Sequence, residues 1–169
     1  MMIRKETKED FEEIYNLVKT AFQTANVSDG KEQDFVNQLR GGETYIPELA
    51  LVAEENGSLV GHIMLSKATV TGGDDRHEVL YIAPISVILE RRNEGIGSAL
   101  VAESFKLARE MGYTSVFLVG DPAYYHRFGF RSVADFGITT THEIPVEYVM
   151  ACELVPDALG KVHGKIDCF

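Results

Sequence analysis

The sequence predicts an α/β fold in which helices flank a central mixed sheet that is mostly antiparallel. Three observations support this prediction. Apolar residues recur at three- and four-residue steps within residues 11–40, which is typical of amphipathic helices. Residues 49–89 contain apolar runs separated by Asn-Gly and Gly-Gly turns, which is typical of antiparallel strands. Residues 79–120 have the pattern strand, helix, strand, and such a helical crossover predicts that the two strands are parallel.

Composition narrows the class of protein. The 169 residues have the length of one domain, and we predict a single domain over residues 1–169. The net charge of −10 argues against a nucleic-acid partner, because phosphate binding needs a basic surface. The sequence shows neither the ~20-residue apolar run of a membrane helix nor the apolar centre of a signal peptide. Cys152 and Cys168 are too few for a disulfide framework and lack metal-ligand spacing. We therefore expect a cytoplasmic protein with no metal and no membrane segment.

The first half of the chain predicts a short strand, two helices and a three-stranded antiparallel meander. Thr7 has the position of a helix N-cap, with acidic residues after it. Gly41 and Gly42 end the second helix. Asn56 and Gly57 form the strongest short signal for a hairpin. The predicted elements are a strand at Met2–Lys5, helices at Phe11–Phe22 and Glu32–Arg40, and strands at Leu49–Glu55, Ser58–Val70 and Val79–Leu89.

Pro84 interrupts the strand at Val79–Leu89, which is apolar on both faces and is therefore predicted to be buried on both sides. Proline cannot donate to a strand ladder, so within sheets it marks an edge or a bulge. A strand at the edge of a sheet would not be expected to be buried on both faces. We predict a bulge that splays this strand and frees backbone groups to pair with a ligand.

The second half of the chain predicts a helix, a strand, a short helix and a final strand. Gly112 is a natural C-cap for the first of these helices. Asp121 and Pro122 have the positions of an N-cap and of the first helical residue, and Gly129 stops this helix. Residues 159–169 carry no pattern that assigns them to an element. The predicted elements are a helix at Ser98–Met111, a strand at Ser115–Gly120, a short helix from Pro122 and a strand at Tyr148–Leu154.

A charged, glycine-bearing turn joins the buried strand to the helix, at residues 90–97. A strand, a glycine-rich turn and a helix together present backbone N–H groups and a positive helix end to an anion, usually a phosphate. We therefore predict an anion-binding site here. The dinucleotide fingerprint would need a third glycine near Leu100, and the Lys-Ser/Thr pair of the phosphate P-loop is absent.

Two motifs carry a resemblance to a known family. The turn contains Arg-x-x-Gly-x-Gly at residues 92–97, and the short helix contains Tyr-x-x-x-Gly-Phe at residues 125–130. Both resemble signatures of the GNAT superfamily of N-acetyltransferases, and the resemblance covers residues 1–154. The sequence Val-Gly-Asp-Pro at residues 119–122 resembles a bacterial subgroup with mostly unassigned acceptors. One departure is Leu89, where many members of the superfamily have proline.

The resemblance implies a GNAT fold whose sheet is splayed at an acetyl-CoA site. Unpaired backbone amides from Arg92 to Ser98 would hold the pyrophosphate, and Arg92 would add charge. Asp121 has two open interpretations, a helix N-cap or a ligand of the cofactor. Arg91 is expected to be a solvated charge. The implied cofactor-binding residues are Ile85, Val87, Arg92, Asn93, Glu94, Gly95, Ile96, Gly97, Ser98, Asp121 and Tyr125.

The implied catalytic residues are Val87 and Tyr125. The Val87 N–H would polarise the thioester carbonyl. Tyr125 would act as the general acid for the leaving thiolate. Because a thiol pKa is about 8.5 and a tyrosine pKa about 10, full proton transfer is uphill by about 2 kcal/mol, and Tyr125 would act chiefly by hydrogen bonding. The general base stays open. The guesses, each expected to be a surface residue, are Glu54, Glu55, His62 and Glu78.

The predicted activity is direct transfer of an acetyl group from acetyl-CoA to a primary amine of a small molecule or peptide, in a ternary complex. The alternative is a catalytically inactive acyl-CoA-binding sensor or interaction module. A third possibility, dinucleotide binding, would show as thermal protection by NAD but not by coenzyme A. The protein is expected to be a monomer or homodimer. Acceptor pockets at residues 26–42 and 133–147 carry no motif that identifies the acceptor.

Overall fold

The structure is a computed structural model that describes residues 1–26, 28–141 and 143–167. These residues form two compact units, the first of Met1–Ser66 and Ile82–Leu107 and the second of Lys67–Tyr81 and Ala108–Phe169. The predicted single domain over residues 1–169 stays a prediction.

The helices are α1 (Phe11–Ala21), α2 (Glu32–Arg40), α3 (Ile96–Glu110) and α4 (Pro122–Tyr125). The strands are β1 (Met2–Lys5), β2 (Tyr45–Glu55), β3 (Ser58–Gly72), β4 (Asp75–Val87), β5 (Ser115–Val119), β6 (Arg131–Ser132), β7 (Ile138–Thr140), β8 (Val149–Glu153) and β9 (Gly164–Ile166).

In the first unit the strands lie in the order β1-β2-β3-β4, and the β1–β2 and β2–β3 pairs are antiparallel. Asn56 and Gly57 have φ angles of 53° and 79°, as a tight hairpin turn between β2 and β3 requires. Helices α1 and α2 pack with β2 and β3 in one apolar cluster. The predicted meander, both helices and the first strand are therefore confirmed. The buried members of the cluster are Ile14, Leu17, Val18, Val36, Leu39, Ala50, Val52, Leu59 and Met64.

A 3₁₀ turn at Lys8–Asp10 precedes α1, so Thr7 caps this turn instead of the helix itself. The Asp10 carboxylate accepts hydrogen bonds from the Thr7 backbone N–H at 2.8 Å and from Arg4 Nη1 at 2.7 Å. These bonds hold the pKa of Asp10 down, to about 2, with the bond from Arg4 the largest cause. The start of α1 is thus fixed against β1.

The second unit supplies the parallel pair that the helical crossover predicts. Strand β4 pairs with β5 through Leu80↔Val116 and Tyr81↔Phe117. On its other side β5 pairs antiparallel with β8, and β8 with β6. The predicted mixed, mostly antiparallel sheet is confirmed. Pro84 lies inside β4 and follows a cis peptide bond. The predicted bulge and splay stay predictions.

Three short strands were not predicted from the sequence. Strand β9 pairs antiparallel with β3 through Val70↔Ile166 and parallel with β7. Strands β6, β7 and β9 have only two or three residues, too few for an alternating pattern to show. Cys152 is a buried free thiol in β8, whereas Cys168 lies outside the described residues. Among the described residues, no helix has both the length and the apolar character that crossing a bilayer requires.

Candidate active site

The turn after β4 begins with a short 3₁₀ helix at Leu89–Arg91. The Arg91 N–H donates to the Ile88 carbonyl at 3.1 Å, and the Arg92 N–H donates to the Leu89 carbonyl at 3.4 Å. The prediction that amides from Arg92 onward are bare is therefore wrong for Arg92, because the 3₁₀ helix already uses its N–H. The row of candidate anion donors begins at Asn93.

Two residues of this turn have left-handed backbone conformations. Asn93 has a φ of 65° and Gly95 a φ of 85°. A Cβ at Gly95 would meet no atom within 4 Å, so glycine is needed here for its backbone conformation and not for space. Alternation of left-handed and right-handed residues turns successive N–H groups toward one concave side, which is the geometry of an anion-binding nest.

Helix α3 begins directly after this turn. Its ladder begins with the Ala99 N–H, which donates to the Gly95 carbonyl at 3.0 Å. The amides of Ile96, Gly97 and Ser98 occupy the first three helical positions, where no carbonyl of the same helix is available. Across the described chain, no backbone bond is made by the N–H groups of residues 93–95 either. The turn and the helix start together form a row of six amides at the positive end of α3.

The Arg92 side chain binds the end of α1. Its Nη2 donates to the Ala21 carbonyl at 2.7 Å and its Nη1 to Thr24 Oγ1 at 3.0 Å. A guanidinium at a helix C-terminus complements the negative end of the helix dipole. Arg92 thus fixes the turn to α1, a role that its position in the motif did not indicate.

Arg91, expected from the sequence to be a solvated charge, is partly exposed and ion-paired. Its guanidinium forms ion pairs with Glu55 on β2 and with Glu94, the latter at 3.0 Å from Nε to Oε1. The pairing lowers the pKa of Glu55, with the hydrogen bond from Arg91 as the main cause. The Glu94 carboxylate, next to the amide row, shares Arg91 with Glu55, so its charge is partly offset.

Ile85 and Val87 lie half-buried at the end of β4. The following residue, Ile88, donates its N–H to the Val60 carbonyl of β3 at 3.0 Å. Backbone groups of successive residues in a strand point to opposite sides, so the N–H of Val87 points away from β3. This direction is what the predicted role of Val87 as a donor to a ligand carbonyl requires.

Asp121 and Tyr125 lie in the second unit, on and just before α4. Asp121 Oδ1 accepts a hydrogen bond from the Ala123 N–H at 3.0 Å, and Pro122 takes the first helical position. Asp121 is therefore a helix N-cap, as one of its two interpretations predicted, and its role as a ligand of the cofactor stays a prediction. A 3₁₀ turn follows α4 and ends at Gly129, which has a φ of 93°. The predicted short helix and its glycine stop are confirmed.

The Tyr125 ring packs among aromatic side chains. Its centroid lies 4.9 Å from that of Tyr124 and 5.9 Å from that of Phe130, both in edge-to-face arrangements. Burial raises the pKa of the Tyr125 hydroxyl, and the nearby Tyr124 and Asp121 raise it further. The phenol therefore stays protonated at any working pH and is available as a hydrogen-bond donor.

Gly120 sets the position of the Tyr125 ring. A Cβ at residue 120 would lie 2.5 Å from Tyr125 Cε2 and 3.0 Å from Cδ2. We expect Gly120→Ala to displace the ring while keeping the hydroxyl, and to lower kcat about tenfold with a stability loss of about 1–3 kcal/mol. Steady-state kinetics and urea unfolding measure the two effects. An unchanged kcat would show that the ring position does not matter.

The four residues guessed as general bases occupy different environments. Glu78 is exposed and accepts a hydrogen bond from the Tyr113 hydroxyl at 3.2 Å, and Glu54 pairs with Arg4 at 3.4 Å. His62 is fully buried, so its expected surface position is wrong. Its pairing with Glu6 at 3.0 Å was missed, because no local pattern links residues on different strands. No group of three or more metal-ligating side chains occurs among the described residues.

Comparison with known proteins agrees with this geometry. The family described as "Acetyltransferase (GNAT) domain" matches residues 2–133. The chain is 34% identical over 142 residues to the uncharacterized N-acetyltransferase YjhQ of Escherichia coli strain K12, covering 82% of this chain and 78% of that protein. It is 32% identical over 168 residues to the uncharacterized N-acetyltransferase YhbS of the same strain, covering 99% and 95%.

Solved structures share the fold. The crystal structure of the GNAT family N-acetyltransferase YhbS from Escherichia coli in complex with CoA has a TM-score of 0.88 at 27% identity, covering 99% of this chain and 89% of that one. A GNAT family acetyltransferase from Brucella melitensis in complex with acetyl-CoA has a TM-score of 0.79 at 30% identity, covering 99% and 95%.

The family match and the two relatives identify the protein as an acetyltransferase, and the mixed sheet and the amide-lined turn before a helix agree with that class. The chain belongs to the GNAT family, and it is an N-acetyltransferase. The predicted family, fold class and enzyme class are confirmed.

Proposed function

We propose that the protein transfers an acetyl group from acetyl-CoA to a primary amine of a small molecule or peptide, by direct transfer in a ternary complex. The observation that carries the proposal is the row of amides over residues 93–98 at the positive end of α3. The crystallised YhbS and the Brucella melitensis acetyltransferase hold CoA and acetyl-CoA, respectively. We also propose that the enzyme is cytoplasmic and that it acts as a monomer or homodimer.

The amide row fits a diphosphate. Its donors are backbone groups, and the left-handed conformations of Asn93 and Gly95 fix their direction before a ligand arrives. Ion pairing of Glu94 with Arg91 partly offsets a charge that would repel phosphate. In this proposal Arg92 contributes by anchoring the turn to α1 through its bond to the Ala21 carbonyl.

The donor supplies the acetyl group as a thioester. In this proposal the backbone of Ile85 and Val87 pairs with the pantetheine arm, and the Val87 N–H stabilises the developing oxyanion. Tyr125 donates a hydrogen bond to the departing sulfur. Because burial raises the pKa of Tyr125, full proton transfer to a thiolate is still more uphill than for a free phenol. The tyrosine therefore acts as a hydrogen-bond donor.

Direct transfer is supported by the state of Cys152. This thiol is 6% exposed, and burial raises its pKa to about 11, so its nucleophilic thiolate is scarce at neutral pH. An acetylated-cysteine route through this residue is therefore disfavoured. The acceptor amine is the nucleophile in the proposal.

Thermal unfolding tests the cofactor site. Coenzyme A at about 100 times its Kd is expected to stabilise the protein by about 2.7 kcal/mol, which raises Tm by roughly 5–10 °C. NAD should not raise Tm.

Gly95→Ala is expected to weaken coenzyme A binding about tenfold, because an alanine disfavours the φ of 85° that aims the amides.

Gly57→Ala is the matched control for this test. Gly57 has a φ of 79° and open space around it, as Gly95 does, but it lies in the hairpin between β2 and β3. Both variants carry the same kind of backbone strain, and only the change at Gly95 should reduce the shift caused by coenzyme A. Equal reductions in both variants, or a shift caused by NAD alone, would contradict the proposed cofactor site.

Thiol release from acetyl-CoA tests transfer. A panel of small amines, polyamines, aminoglycosides and peptide N-termini is expected to contain an acceptor that releases coenzyme A in proportion to acetylated product. Coenzyme A binding with neither transfer nor slow hydrolysis would favour the acyl-CoA sensor instead.

A further inference from the structure

A buried polar network lies in the first unit, where β1, β2, β3 and α2 meet. The Glu6 carboxylate, 0% exposed, accepts hydrogen bonds from four donor groups. Arg40 on α2 supplies two, with Nε at 2.7 Å and Nη2 at 3.0 Å. The Tyr45 hydroxyl supplies one at 2.8 Å, and His62 Nε2 lies 3.0 Å away. The acidity of Glu6 follows from this network: burial raises its pKa, but the bonds from His62 and Arg40 outweigh burial and lower it to about 2.

These contacts determine the tautomer of His62. Because Glu6 is ionised and accepts hydrogen bonds only, His62 Nε2 must carry the proton that is donated to it. The side chain of His62 is 0% exposed, and burial lowers its pKa more than the charge of Glu6 raises it. The imidazole is therefore neutral, and its Nδ1 is a bare acceptor. No partner of Nδ1 exists in the described part of the protein.

The segment of β3 that contains His62 runs along the end of β4 that carries the proposed thioester site. Val60, two residues before His62 on β3, accepts the N–H of Ile88, and a Cβ at Gly61 would lie 3.2 Å from the Ser86 carbonyl. The Ser86 hydroxyl is also buried without a partner within the described ranges. An unpaired acceptor on His62 of β3 and an unpaired hydroxyl on Ser86 of β4 thus occur on neighbouring strands, and Ser86 directly precedes Val87. A buried acceptor without a donor costs stability, so Nδ1 points to a group that is not part of the chain.

We propose that His62 Nδ1 accepts, through a bridging water, the proton that the acceptor amine loses during acetyl transfer, and that Glu6 is the positioning residue that holds the imidazole for this step. The proposal rests on the proposed function. The amine nitrogen forms a bond to the acetyl carbon, and the carbon–sulfur bond breaks with its electron pair left on sulfur. The amine proton passes through the water to Nδ1, and the sulfur takes its proton from solvent with Tyr125 as hydrogen-bond donor.

A weak base is sufficient for this step. The amine proton becomes strongly acidic only as the carbon–nitrogen bond forms, so a neutral imidazole can take it at that moment. The charged and titratable groups around His62 are Glu6, Arg40, Tyr45 and Asp10. Before the step, the negative charge of Glu6 offsets the positive charge of Arg40. After the step, Glu6 is in direct contact with the positively charged imidazolium, as the carboxylate of a catalytic triad is.

The variant His62→Gln separates catalysis from structure. A glutamine amide can still donate to Glu6 from the position of Nε2 but has no base at the position of Nδ1. We expect kcat to fall about 100-fold, with Tm and the Tm shift by coenzyme A nearly unchanged. The ratio of wild-type to variant kcat should fall toward one at low pH, where His62 is protonated. His77→Gln, on β4, is the matched control and should leave kcat unchanged.

Nitrogen-15 NMR of histidine-labelled protein supplies a readout that does not need activity. The expected spectrum of the free protein has His62 Nε2 protonated and Nδ1 unprotonated at pH 7. A protonated Nδ1 would overturn the proposal. If the wild type acetylates amines and His62→Gln does so at equal kcat, this proposal fails while the proposed function stands. If the wild type acetylates no amine, both fail.

Discussion

Replacing Tyr125 by phenylalanine is expected to lower kcat by about 10- to 100-fold and to leave the affinity for acetyl-CoA unchanged. The ring and its edge-to-face contacts remain in the variant, so only the hydroxyl is lost. A hydrogen bond to a charged group contributes about 1.5–3 kcal/mol, and each 1.36 kcal/mol of barrier corresponds to a tenfold change in rate. Steady-state kinetics with a saturating amine measure the effect on kcat, and calorimetry with acetyl-CoA measures the affinity.

Gly120→Ala is the matched partner of this experiment, because it moves the ring but keeps the hydroxyl. If Tyr125 acts through its hydroxyl, both variants lose turnover and both retain coenzyme A binding. Equal kcat for Tyr125→Phe and wild type would remove Tyr125 from the mechanism. A raised KM for acetyl-CoA with an unchanged kcat would instead assign Tyr125 to binding.

Replacing Gly164 by alanine is expected to destabilise the second unit by about 2–6 kcal/mol. Gly164 has a φ of 130°, a conformation that costs about 1–3 kcal/mol for other residues. Its Cβ would overlap the Thr71 carbonyl, and this contact between two backbones cannot relax by a side-chain rotation. Overpacking adds about 1–3 kcal/mol. Urea unfolding with the midpoint and slope fitted separately measures the loss.

Gly160→Ala is the control for this second experiment. The nearest atom to a Cβ at Gly160 is the Asp157 carbonyl oxygen at 3.4 Å, which is ordinary contact. This variant is expected to stay within about 1 kcal/mol of wild type. Similar losses of stability in both variants would mean that the pairing of β9 with β3 contributes little to the stability of the second unit. The expected difference would show that the C-terminal segment is part of the folded second unit.

The close backbone approach explains why the tail was not assigned from the sequence. Gly72 and Gly164 face each other on β3 and β9, and a Cβ at Gly72 would overlap the His163 carbonyl. Glycine at both positions is required by this contact between residues far apart in the chain. In the sequence the same glycines resemble ordinary turn residues, so they indicated a turn at Gly72 and nothing at Gly164.

Elements with strong local patterns were predicted closely. The bounds of α2 at Glu32–Arg40 and of β1 at Met2–Lys5 agree with the prediction, and the hairpin at Asn56 and Gly57 has the expected positive φ angles. The turn before α3 was identified from Gly95 and its neighbours. Each of these features depends on residues within about ten positions of one another, where periodicity and backbone conformation are encoded directly.

The site residues illustrate the limit of that information. The motif placed Arg92 beside a phosphate, yet its guanidinium binds the Ala21 carbonyl, 71 positions away. His62 was expected at the surface, yet it is buried against Glu6, 56 positions away. No window of local sequence contains both partners of either pair.

The sequence by itself determined the family, the order of helices and strands and the amide-presenting turn, because these follow from local backbone preferences and from motifs of a few residues. Only the tertiary structure decided which charges are buried and paired. Whether Glu6 is ionised and His62 neutral depends on the groups that folding brings around them, because burial and neighbouring charges, not residue type, set a pKa in a protein interior.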